Sequence, residues 1–101
     1  MTTEQRNIIY KLVKDYAIKN YSTTCLINLF DPEDLEHVIQ TGVSILATKW
    51  KLEECPSSGF VKSVLDNNLT EAFFNADCVN EKVIKFYILL MYNTGKPIEL
   101  N

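Results

Sequence analysis

Asn67, Asn68, Asp77 and Asn80 fall at two joints between apolar stretches in the C-terminal half of the chain. Short polar side chains at such joints accept hydrogen bonds from free backbone amides and so finish helix ends. The same side chains, converging across a cleft, read the edge of a base or a ribose, because an amide offers a donor and an acceptor together. Upstream, Ser57, Ser58 and Gly59 precede a predicted helix, where free amides and hydroxyls either cap that helix or cradle a phosphate. Lys62 follows as a positive charge suited to such a phosphate. These eight residues are the candidate ligand-binding set. Asn67→Ala or Asn80→Ala is expected to abolish binding while leaving the helical signal intact.

Other chemistry has less to build on. A structural zinc needs about four cysteine or histidine ligands in paired spacing, whereas the chain has three widely spaced cysteines, Cys25, Cys55 and Cys78, and one histidine, His37. No metal or cofactor is expected. His37 reads as a solvated helix residue, and the cysteines as buried structural side chains. A nucleophile activated by a base held in turn by a third group is not apparent from spacing. The carboxylate pairs Glu33/Asp34 and Glu53/Glu54 read as a helix start and a loop edge. Glycines at 42, 59 and 95 cannot form a phosphate-binding glycine loop. The chain is expected not to be an enzyme.

Composition sets the class. One hundred and one residues, 47% hydrophobic and 23% charged, describe one globular domain over 1–101, with self-association as the usual way for so small a core to enlarge. A net charge of −3 leaves no positive excess for binding duplex nucleic acid. No apolar run is long enough to span a membrane, and the N-terminus lacks the basic-then-apolar pattern of a signal peptide. The odd, scattered cysteines fit a reducing, cytoplasmic setting.

The elements that must position the candidates are mainly helical. Ile8, Ile9, Leu12, Val13, Tyr16 and Ala17 recur at three- and four-residue steps behind Thr2, which forms a capping box with Gln5. Asp31-Pro32 starts a second helix, with Glu33 and Asp34 at its positive end. Its stripe is Leu35, Val38, Ile39, Val43, Leu46, Ala47 and Trp50, and Gly42 marks a site for a kink. Residues 24–30 and 43–50 are β-branched and apolar enough that a short strand or hairpin within 24–50 is the alternative. Residues 53–59 form the strongest break, a Pro-Ser-Ser-Gly loop. A short helix then carries Phe60, Val61, Val64 and Leu65, and another carries Leu69, Ala72, Phe73 and Ala76. Residues 76–80 form a joint. A last helix over 81–93 is apolar around much of its girth, with Gly95 as its cap, and 98–101 frayed or lying over the surface. The expectation is a small bundle of about five helices.

From Pro56 onward the chain resembles a group of short phage- and prophage-encoded proteins. The resemblance rests on Pro56, Gly59, Phe60, Val64, Leu65, Asn67, Leu69, Glu71, Ala72, Ala76, Asp77, Asn80, Tyr92 and Asn93. Ser58, Val61, Ser63, Asn68 and Met91 depart from the group's pattern, and its Trp-containing tail is missing. The resemblance implies a small cytoplasmic inhibitor of a host defence system. Two routes follow: an oligomer that sequesters a nucleotide-derived immune messenger in its pockets, or a face that binds a host defence or regulatory protein directly.

Overall fold

The computed structural model describes residues 1–24, 26, 29, 31–53 and 59–100. Among these, six α-helices follow one another: α1 Thr3–Lys19, α2 Pro32–Lys49, α3 Gly59–Leu65, α4 Leu69–Asn75, α5 Cys78–Lys82 and α6 Ile84–Asn93, with a 3-10 turn at Ile98–Leu100. The described residues contain no strand, and none of these helices is long and apolar enough to cross a membrane.

The first two helices begin as their residues dictate. Thr2 accepts from the Gln5 amide at 3.1 Å while Gln5 accepts from the Thr2 amide at 2.9 Å, closing the capping box. Asp31 accepts from the Glu33 amide at 2.9 Å with Pro32 in the first turn. Helix α2 then runs unbroken to Lys49, so 43–50 is helix and not strand. Its β-branched Val43 and Ile45 are fully buried, and burial worth about 1.5–3 kcal/mol per such side chain outweighs a few tenths of intrinsic preference. Of 24–30, the described Thr24, Leu26 and Leu29 are buried, and the Leu29 amide bonds the Leu26 carbonyl at 2.9 Å. The remainder of that helix-or-strand alternative lies outside the described residues.

Helix α2 continues through Gly42 without a break. The glycine allows a close crossing: a Cβ there would stand 2.8 Å from Val13 Cγ1 of α1 and 3.0 Å from Leu90 Cδ2 of α6. Helix α6 occupies the centre, with Phe86, Tyr87 and Leu90 fully buried. Phe86 meets Tyr16 and Tyr87 at ring-centroid distances of 6.0 and 5.6 Å, and Phe60 meets Tyr87 edge-on at 5.4 Å. Tyr10 of α1 donates to Glu36 of α2 at 2.7 Å. That bond raises the Tyr10 pKa and lowers that of Glu36.

Helices α2 and α3 end alike. After α3, the Asn68 amide bonds the Ser63 carbonyl and the Asn67 amide that of Val64, a Schellman closure with Asn67 left-handed at φ 57°. After α2, Leu52 and Lys51 bond Ala47 and Thr48 in the same pattern, which forces Lys51 to φ 61°. At the C-terminus the helix cap differs from the one expected. The α6 cap is Thr94 in extended backbone, not a left-handed Gly95, and Leu100 is buried against the core.

Candidate functional site

The joint over 76–80 is itself a helical turn. Asp77 accepts from the Asn80 amide at 2.7 Å and starts α5, a one-turn helix set between α4 and α6. Its position brings Asp77 to α2, where the His37 Nε2 lies 2.9 Å from Asp77 Oδ2, joining residues forty positions apart. His37 is exposed, as expected of a solvated helix residue, and its ring in addition makes this contact with Asp77.

The pair lines a cleft with a volume of about 370 Å³, within the range of small-molecule sites. Helix α2 supplies one wall through His37, Gln40, Thr41 and Ser44; Phe60 and Val61 of α3, Asn75 of α4 and Asp77 and Asn80 of α5 and its cap complete it. No lysine or arginine lines it among the described residues. Thr41 donates to the His37 carbonyl at 2.9 Å, and Gln40 donates to Glu36 at 3.1 Å.

Asn80 is the best-buried polar group of the wall, only 6% exposed. The hydroxyl of Tyr87 donates to its Oδ1. Its amide nitrogen has no partner among the described residues, and no fully buried side-chain nitrogen or oxygen among them lacks one, so this nitrogen keeps an opening into the cleft that Asn80 lines. Burial pushes the Tyr87 phenol far above its usual range, and the Thr41 hydroxyl only partly offsets this. Tyr87 thus remains a donor and fixes which end of the Asn80 amide turns outward. For Asp77, burial raises the pKa, but the Asn80 amide and His37 together outweigh it and the net shift is downward. The cleft therefore presents donors, neutral acceptors and one carboxylate.

The structure divides the eight candidates from sequence. Asp77 and Asn80 share the cleft. Gly59 stands beside it, where a Cβ would lie 3.5 Å from the Asn75 side chain. Asn68 caps α4, accepting from the Glu71 amide at 3.1 Å, and Asn67 closes α3. The hollow next to these two is about 10 Å³, room for at most one water. Lys62 is exposed and pairs with Asp66 at 2.8 Å, whose carboxylate raises the lysine pKa. Ser57 and Ser58 lie outside the described residues, as do Cys25 and Cys55, while Cys78 is an exposed free thiol and not a buried one.

The wall residues not singled out from sequence are those of α2 and Asn75. His37, Gln40, Thr41 and Ser44 stand at i, i+3, i+4 and i+7, a polar stripe on one helix face, and that spacing is the signal by which they could be found. Among the described residues no three His, Cys, Asp or Glu side chains gather as a metal site. Comparison with protein-family models, curated proteins and solved structures finds no match to this chain.

Proposed function

We propose that this protein is a binding protein that holds a neutral, nucleoside-type portion of a small ligand in the cleft between α2 and α3–α5. The observation that carries the reading is Asn80: a polar side chain buried by more than nine-tenths, fixed on one side by Tyr87, with its amide nitrogen turned to the cleft and unpartnered. Open to the cleft, this donor can bond a ligand acceptor in place of water, an exchange worth about 0.5–1.5 kcal/mol net. Donors and acceptors from Asn75, Gln40 and Asn80 match the paired donor–acceptor edges of bases. Asp77, with no cation but His37 nearby, disfavours a phosphate at the same place.

The sequestering role implied by the phage-group resemblance takes a narrower form here. A nucleotide-derived messenger is held by its base and ribose, with its phosphates directed out of the cleft. Titration calorimetry with the four common nucleosides, their 5′-monophosphates, ADP-ribose and a cyclic dinucleotide tests this. At least one nucleoside is expected to bind, and its monophosphate to bind no more tightly. Asn80→Asp, which keeps the acceptor for Tyr87 but replaces the outward donor, is expected to weaken binding at least tenfold, and Asn75→Ala to weaken it as well. No binding by any of these compounds, or a monophosphate much tighter than its nucleoside, would overturn the assignment.

A further inference from the structure

The hydrogen-bonding capacity left in the cleft wall is weighted toward acceptors. Ser63 is buried and donates its one side-chain proton to the Gly59 carbonyl at 2.8 Å. Toward Asn75 its oxygen can therefore only accept, and the Asn75 Nδ2 donates to it at 3.3 Å. That contact fixes the Asn75 amide, whose Oδ1 is the end without a partner among the described residues. Gln40 is held in the same sense, with its Nε2 on Glu36 and its Oε1 without a partner among them. Asp77 belongs to the same turn as Asn80. One of its carboxylate oxygens takes the Asn80 backbone amide at 2.7 Å and the other the His37 Nε2 at 2.9 Å. An ionised carboxylate has about four acceptor sites and no donor, so Asp77 still has acceptor capacity to offer. Against these oxygens stands the Asn80 Nδ2, the wall's amide nitrogen with neither proton spent.

On the reading of the cleft as a nucleoside site, we infer that it selects a base bearing an exocyclic amino group, as adenine, guanine and cytosine do, over hypoxanthine and uracil, which have none. An amino group conjugated with the ring donates two N–H bonds and accepts none, so it serves two of these oxygens at once. A ring nitrogen or carbonyl of the same base accepts from Asn80. A base without the amino group has one N–H at most on its pairing edge, and a carbonyl oxygen in the amino position faces the wall's oxygens lone pair to lone pair. A site built to bond an N–H group rejects the analogue lacking it more strongly than an apolar pocket rejects a small change of size.

Titration calorimetry of the full chain with adenosine, guanosine, cytidine, inosine and uridine tests the selection. Inosine is adenosine with oxygen in place of its amino group and guanosine with its amino group removed, and uridine stands to cytidine as inosine does to adenosine. The tightest of the three amino-bearing nucleosides is expected to bind at least tenfold more strongly than inosine and uridine. Asp77→Asn keeps an oxygen to cap α5 but brings an N–H into the wall. It is expected to shrink that ratio at least threefold with an unchanged far-UV circular dichroism spectrum, whereas a purely structural role for Asp77 would weaken all five alike. Inosine or uridine binding as tightly as the best amino-bearing nucleoside, or a ratio untouched by Asp77→Asn, would overturn the inference and leave the nucleoside site standing. Binding by none of the five would overturn both.

Discussion

Asn67 and Asn80 look equivalent in sequence, yet their surroundings assign them different work. Asn67 occupies a left-handed backbone position that asparagine tolerates better than most residues. Asn67→Ala should cost about 1 kcal/mol in urea denaturation and leave nucleoside affinity unchanged, whereas Asn67→Gly should cost little or stabilise. Lys51, forced into the same conformation without asparagine's tolerance, gives the complementary case: Lys51→Gly should stabilise by about 1 kcal/mol. Asn80→Ala leaves the Tyr87 hydroxyl without its acceptor, and a loss of about 1–3 kcal/mol is expected alongside the loss of binding. Asp77 links this site to pH. Because its folded pKa is lowered, its carboxylate stabilises the fold above the ordinary aspartate value of about 4, and that contribution disappears as the pH falls through the lowered folded value. Denaturation midpoints should therefore drop less on acidification for Asp77→Asn than for the wild type, after the constant cost of the weakened cap is subtracted.

At the scale of elements, the crossing of α1, α2 and α6 depends on Gly42. Alanine there is about 1 kcal/mol better in an isolated helix, but its methyl group would collide with the buried Val13 and Leu90 side chains. Overpacking of this kind costs about 1–3 kcal/mol, so Gly42→Ala should lower stability despite its higher helix propensity. Helix starts were the most legible feature of the sequence, since Thr2 with Gln5 and Asp31 with Pro32 act through local backbone geometry. The first four helices and the body of α6 follow from apolar spacing for the same reason. Asp77 and Asn80 were legible as residues at a joint, but their place in a cleft wall follows from the contact of Asp77 with a histidine forty residues away. Gly95 and the C-terminal turn misled because packing of Leu100 onto the core, a non-local contact, fixes that end. The polar stripe on α2 was present in the sequence but has the period of any solvated helix face, and only the arrival of α5 opposite it makes it a cleft wall.

In the whole molecule, the cleft and the apolar face around Phe73 have no lining residue in common. Substitutions on the apolar face, such as Phe73→Ser, should leave nucleoside affinity within about twofold of wild type, because sites that share no contacts behave nearly additively. The most direct measurement is an amide-resolved NMR titration with adenosine, followed through the side-chain NH₂ signals of Asn80, Asn75 and Gln40 and the backbone of residues 37–44. Saturable shifts centred on the Asn80 side chain are the predicted result. Unchanged signals there at high ligand concentration, or shifts gathered on α4 and α6 instead, would contradict the account.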